Sequence, residues 1–325
     1  MTNVMNTMRK LVKIFYTGFE NIENAFLVAC EANNLKKVQE CIELGVDVNT
    51  KSSDGYWFGL KIAVTENNEE LLDLLLSHPN IDVNTRDNYQ NTALIVACYK
   101  KHSGYRSRFD EARTRACPRS LTIIKRLLDV PDVEVNCKSR DGEWFALKYA
   151  ASNDDEELLE LLLSHPGIDV NNTDNYQNTA LMMACYKRYS RIIKRLLAVP
   201  DINVNCQNAR GVSAFNMAVL RNNEEIWTML TTLKNINWNE KHPDGESAFT
   251  IALRSQRSPI IQTLLSMPNL EINLKELQDH LPSETTVQFL TLISSPRCQK
   301  CPPLKIFLLH YSFCRNLSIL RHTYF

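Results

Sequence analysis

At 325 residues the chain is long enough for two or three globular domains, and 44% hydrophobic residues can build a sizeable core. Its 37 Lys and Arg balance its 37 Asp and Glu, which argues against a general pull toward nucleic acid or an anionic membrane surface. Ten cysteines without a secretory leader point to a reducing compartment, the cytoplasm with the nucleus as the other candidate, rather than to a disulfide frame, and no apolar run reaches the roughly 20 residues of a membrane span.

Residues 1–23 mix Arg9, Lys10 and Lys13 with apolar side chains and read as an N-terminal tail or cap. From residue 24 the chain becomes periodic. An asparagine closes each period at Asn49, Asn84, Asn136, Asn171, Asn205, Asn239 and Asn273, with successive spacings of 35, 52, 35, 34, 34 and 34 residues. Each period holds a turn, a short apolar helix, a polar break and a second helix. Between Asn205 and Asn239 these are Arg210-Gly211, Ser213 to Ala218, Asn222-Asn223, and Glu225 to Leu230. The block from Asp54 to Lys100 is restated almost word for word from Asp141 to Lys187. Self-similarity of this kind marks a stacked array, because one unit alone cannot bury its apolar face.

The first helix of each period opens on a shared pattern, seen as Gln90-Asn91-Thr92-Ala93-Leu94-Ile95-Val96-Ala97, as Gly211 to Ala218 and as Gly245 to Ala252. With the 34-residue period, this pattern resembles the ankyrin repeat, whose helix-opening motif is Gly-x-Thr-Pro-Leu-His-x-Ala. The resemblance covers about residues 24–273. It implies an all-α ankyrin-repeat solenoid of about seven helix-turn-helix units joined by β-hairpin-like turns. The motif's Pro is Ala here and its His is absent, which implies a weaker polar tie between neighbouring turns.

Local chemistry supports the same elements. Thr92, Thr179, Ser213 and Ser247 stand where a hydroxyl caps the first helix, worth roughly 1 kcal/mol. Phe58 and Phe145 occupy that site in two units, whose helices are therefore expected to fray more easily. Asn67 with Glu70, Asp154 with Glu157 and Asn222 with Glu225 have the spacing of capping boxes for the second helices. Small residues at Ala63, Ala97, Ala150, Ala184, Ala218 and Ala252 allow close helix approach, and Cys98 and Cys185 beside them read as apolar filler.

The one long period carries an insertion of about 18 residues, 104–121, between the two helices of its unit. Arg106, Arg108, Arg113, Arg115 and Arg119 there outnumber Asp110 and Glu111, and Ser107 and Ser120 are candidate modification sites. A solvated, unstructured loop is the favoured reading, since extra length closes at small entropic cost. Residues 274–296 read as a degenerate capping repeat with Val287, Leu290 and Ile293 on one face. Residues 297–325 form a basic tail without an acidic residue, expected to be disordered. Within it, Cys298, Cys301, His310 and Cys314 are ligand types for zinc, but their spacing matches no diagnostic pattern, so no metal and no cofactor are expected. The tail also lacks the Leu four residues before a Cys that a ubiquitin-ligase docking box requires, because His310 stands four before Cys314.

No catalytic constellation emerges. His78 and His165 sit in Ser-His-Pro helix ends, where a cation suits the dipole, and Asp54-Gly55, Asp141-Gly142 and Asp244-Gly245 read as turns. A non-enzymatic protein-interaction scaffold is therefore expected. The resemblance implies binding through the turn tips and the concave face of the first helices. At those positions stand Tyr89 and Tyr176, Trp57 and Trp144, Tyr99-Lys100, Tyr186-Lys187, Arg221 and Arg254, aromatic anchors beside cations. For the two tryptophans, packing inside the turns is an equally weighted reading. The partner is expected to be a protein, without nucleic acid. The alternative is an adaptor that acts through its C-terminal tail, as a ubiquitin-ligase substrate receptor or through a small zinc element.

Overall fold

The computed structural model describes residues 22–103, 118–241, 245–255, 258–267 and 270. The chain divides into two compact units, Met1–Asn175 and Tyr176–Phe325. In the first, four helix pairs follow one another: α1 (Ile22–Glu31) with α2 (Leu35–Glu43), α3 (Gly59–Thr65) with α4 (Glu69–Leu76), α5 (Ala93–Ser103) with α6 (Pro118–Leu128), and α7 (Ala146–Ser152) with α8 (Glu156–Leu163). In the second, α9 (Ala180–Lys187) pairs with α10 (Ser190–Leu197), α11 (Ala214–Leu220) with α12 (Glu224–Thr231), and α13 (Ala248–Arg254) with α14 (Ser258–Ser266).

Most of these helices span only seven to nine residues, too short to persist alone in water. Packing supplies what length cannot. Within each unit the two helices of a pair pack together, and the first helix of one pair lies against the first helix of the next. The recurrent alanines Ala63, Ala97 and Ala150, and in the second unit Ala184, Ala218 and Ala252, are buried at these approaches. Between pairs the chain makes turns with isolated antiparallel bridges, Lys51 to Phe58, Gln207 to Ser213 and Lys241 to Ser247.

The hydroxyl caps form as expected. Thr92, Thr179, Ser213 and Ser247 accept the N–H groups of Ile95, Met182, Asn216 and Thr250. Phe58 and Phe145 begin α3 and α7 without any side-chain cap, but both rings are buried, so apolar burial holds those helix starts instead. The second helices correct the capping-box expectation by one residue. Their caps are Asn68, Asp155 and Asn223, which accept from Leu71, Leu158 and Ile226. Asn67, Asp154 and Asn222 instead hold left-handed backbone at φ 55°, 56° and 52°. Asn and Asp tolerate that conformation better than other side-chain-bearing residues, so the tight turn between helices selects them.

The periodic asparagine has a structural cause that its spacing alone did not reveal. In one amide group it both donates to and accepts from the main chain of the following repeat. Asn49 donates to Asn80 O at 2.8 Å and accepts from Asp82 N at 2.8 Å. Asn84 does the same with Asp132 and Glu134, Asn136 with Gly167 and Asp169, and, in the second unit, Asn205 with Asn235 and Asn237.

The expected loss of a polar tie between turns is also corrected. At the motif's missing His position stand Lys61 and Lys148. Lys61 Nζ reaches Asp87 Oδ2 at 2.6 Å and Tyr56 O at 2.8 Å, and Lys148 Nζ reaches Asp174 Oδ2 at 2.7 Å and Glu143 O at 2.6 Å. Both aspartates are buried. In these two units a buried ion pair, with a second hydrogen bond from the ammonium to a main-chain carbonyl, takes the place of the imidazole.

Helix α6 begins at Pro118, so the last residues assigned to the insertion are helical. Ser120 is only 5% exposed, which removes it as an accessible modification site. Residues 104–117, with Ser107 and four of the five arginines, lie outside the described residues, as do residues 1–21 of the N-terminal cap, the degenerate last repeat and the tail with its cysteines and His310.

Candidate functional surface

The four tyrosines singled out from sequence are among the most exposed large side chains: Tyr89, Tyr99 and Tyr176 at 53–54% and Tyr186 at 45%. Their exposure has local causes. Asp87 Oδ1 accepts the N–H groups of Tyr89 and Asn91, while its Oδ2 takes the Lys61 ammonium, so one carboxylate shapes the tip that carries Tyr89. Arg140 N then donates to Tyr89 O, tying this tip to the next one, and in the second unit Ala209 N donates to Tyr176 O. Tyr99 lies just before the last turn of α5 and Tyr186 in the last turn of α9, and each shares a groove with the tip tyrosine of its own repeat.

In the first unit that groove is about 560 Å³ and runs between Tyr89, Tyr99, Arg140, Asp141 and Trp144 over Ile95, Val96 and Tyr149. Tyr149 is buried, its ring edge-on to Tyr99 at 6.2 Å and stacked on Trp144 at 4.6 Å, and burial pushes its hydroxyl pKa up, so it remains protonated. Asp141 is held below the usual carboxylate range by hydrogen bonds from the Ser139 hydroxyl and then from the Glu143 N–H. In the second unit a groove of about 470 Å³ lies between Tyr176, Tyr186 and Arg210, floored by Met183 and Met217. The Arg221 guanidinium lies over the Tyr186 ring at 3.7 Å, a cation–π contact that fixes both groups.

Several sequence-predicted positions separate here. Lys187 is exposed on the end of α9, whereas Lys100 is only 8% exposed and its ammonium donates to Thr65 O, so Lys100 is corrected from a surface cation to an internal one. Trp57 and Trp144 are half-buried, and each lies against the ammonium of a buried ion pair, Lys61 at 5.0 Å and Lys148 at 4.7 Å. Their packing role is therefore the one the geometry carries. Arg254 ends α13, and its side chain lies outside the described residues. The groove residues that sequence reading missed are Arg140, Tyr149, Met183, Arg210 and Met217. Tyr149, Met183 and Met217 occupy the variable position just before the repeat's alanine, a signal that could have found them.

Among the described residues no group of three or more His, Cys, Asp or Glu stands close enough to hold a metal ion. His78 and His165 use Nδ1 to accept the N–H groups of Asn80 and Gly167, closing turns. Burial raises the thiol pKa of Cys30 and Cys185 to about 12 and pushes Cys41, Cys98 and Cys137 upward as well, leaving none of them a ready nucleophile. No described helix is long and apolar enough to cross a membrane.

Short helix pairs, inter-repeat amide ladders and grooves between tips and first helices define a helical repeat protein. The model for ankyrin repeats in three copies matches residues 4–106 and 115–208, and the chain belongs to the ankyrin repeat family. Its fold is the all-α ankyrin-repeat solenoid, a family that generally serves as a non-enzymatic protein-interaction module. Mouse ankyrin repeat and SOCS box protein 6 is 26% identical over 156 residues, 48% of this chain and 30% of that protein. The ankyrin repeat protein YahD of Escherichia coli (strain K12) is 25% identical over 194 residues, 54% of this chain and 95% of its own length. The chain thus spans about a third of the first of these relatives. Among solved structures, the ankyrin repeat domain of Bcl-3, a member of the IkappaB protein family, aligns over 70% of this chain and 92% of its own with a TM-score of 0.56 at 21% identity.

Proposed function

We propose that the chain is a non-enzymatic scaffold that binds a partner protein through the turn tips and the inner face of its first helices, with Tyr89, Tyr99, Tyr176, Tyr186, Lys187 and Arg221 as contacts. The observation that carries this reading is the recurrence of one device: in each unit a tip tyrosine and a helix-end tyrosine stand exposed across a groove floored by apolar side chains. Tyrosine loses little rotamer freedom on binding and combines apolar area with a hydroxyl, which makes it an effective anchor. Buried, unpaired thiols at Cys30, Cys41, Cys98, Cys137 and Cys185 support placing it in a reducing compartment, with the cytoplasm as the proposed site. Changing Tyr89, Tyr99, Tyr176 and Tyr186 together to Ala is expected to leave the helical circular dichroism intact and abolish partner recovery in a pull-down. A folded variant that retains every partner would count decisively against this surface.

A second reading is supported by the relatives that carry a SOCS box beside their ankyrin repeats. On it, residues 297–325 recruit a further protein and the chain acts as an adaptor. A chain ending at Pro296 separates the two: the scaffold reading expects partners to be retained, and the adaptor reading expects a distinct subset to be lost.

A further inference from the structure

The two grooves share their tyrosines and differ in charge. Equivalence between them is set by the tip bonds, Arg140 N to Tyr89 O and Ala209 N to Tyr176 O, and by shared helix caps, Asn153 with Arg221 and Asp155 with Asn223. Around the first groove opposite charges cancel. Arg140 stands beside Asp141, Lys101 pairs with Asp155 at 2.6 Å, and Asn153 turns its amide back onto Tyr149 O. Around the second, Arg210 replaces Asp141, Arg221 replaces Asn153 and Asn223 replaces Asp155, while Ala209 in place of Arg140 is a change of opposite sign, and the loss of Lys148 at Asn216 removes a cation that was already neutralised by Asp174. Lys187 is exposed where Lys100 is buried, and Arg188 spends its guanidinium on the Arg221 carbonyl rather than on a carboxylate. No acidic side chain lines this groove among the described residues, and Glu225 is engaged by Ser190 and Lys194.

The cations are also held in place. Asn208 accepts the N–H groups of Arg210 and Val212 at 3.0 Å each and donates to Asn178 at 2.8 Å, which fixes the tip bearing Arg210. Arg221 is fixed by its contact with Tyr186. Groups ordered before binding cost less to use. Met183 and Met217 give the floor a soft, adaptable apolar surface.

From this divergence of a duplicated device, and resting on the groove being a binding surface, we infer that the second groove receives an acidic linear peptide segment, its carboxylates on Arg210 and Arg221 and an apolar side chain against Met183 and Met217. A single-stranded nucleic acid fits less well, because Arg221 already covers the Tyr186 ring face on which a base would stack.

The test is selection of a random linear peptide library on the full chain, followed by affinity measurement on three proteins: wild type, Arg210→Asp/Arg221→Asn, and Tyr176→Ala/Tyr186→Ala, each checked for folding by circular dichroism. The expected result is net-acidic peptides whose binding weakens with salt and falls roughly tenfold or more in the arginine variant. No enrichment, or enrichment of neutral or basic peptides, overturns the inference, as does a fluorescent oligouridine that binds more tightly than any selected peptide. If the tyrosine variant loses the peptides and the arginine variant keeps them, the groove stands and its acidic preference falls. If both variants keep them, the groove itself is wrong.

Discussion

Lys61 and Lys148 show how a single position is solved differently from the family's motif. A lysine in a mostly apolar interior is costly unless its charge is matched, and here Asp87 and Asp174 match it while a tryptophan ring covers the ammonium. Lys148→Ala leaves the Asp174 carboxylate, 1% exposed, without its cation, and is expected to destabilise the first unit by about 3 kcal/mol in urea unfolding. Asp155 is the residue for pH dependence. Burial alone would raise its pKa, but the His102 imidazole 3.1 Å from its carboxylate, together with hydrogen bonds from Lys101 and the Leu158 N–H, outweighs it and holds the carboxyl below its ordinary range. Its stabilisation is therefore full above the unfolded value of about 4 and is lost as pH falls toward the folded one. Unfolding free energy measured between neutral and strongly acidic pH should fall more steeply for wild type than for Asp155→Asn, which keeps a capping oxygen but cannot ionise.

Among elements, the second helices depend on a two-residue turn in which the first residue takes a left-handed backbone and the second caps. Asn222 is exposed at φ 52° and Asn223 accepts the Ile226 N–H at 3.1 Å. Asn222→Gly is accordingly expected to be neutral or slightly stabilising, and Asn223→Ala to cost about 1 kcal/mol. Thermal melting of the two variants distinguishes them, and the reverse order would mean that the cap lies one residue earlier. The sequence did reveal that an acceptor opens α4, α8 and α12. It could not tell which of two adjacent Asn or Asp residues performs the role, since both types favour caps and left-handed turns alike.

For the molecule as a whole, stability is a sum of weak repeats and the interfaces between them. The asparagine ladder is the polar part of those interfaces. Asn136→Ala removes one donor and one acceptor that bind Gly167 and Asp169 of the following repeat. The expected outcome is a lower midpoint together with a shallower urea slope, because weakening an interface uncouples its neighbours as well as destabilising them. An unchanged slope with a lowered midpoint would place the coupling in the apolar contacts instead.

The amino-acid sequence by itself determined the period, the repeat family, the helix pairs and the exposure of Tyr89, Tyr99, Tyr176 and Tyr186, because those follow from apolar spacing, turn residues and a duplicated block. Tertiary structure alone decided that Lys100 turns inward while Lys187 stays out, that Trp57 and Trp144 seal buried lysines, and that Arg221 settles on Tyr186. The physical reason is that a long side chain's place depends on the carbonyl, carboxylate or ring that the neighbouring repeat brings within reach. For the contacts made across repeats that partner lies 26 to 35 residues away along the chain and is invisible to local pattern, whereas each tryptophan lies only four residues before the lysine it covers.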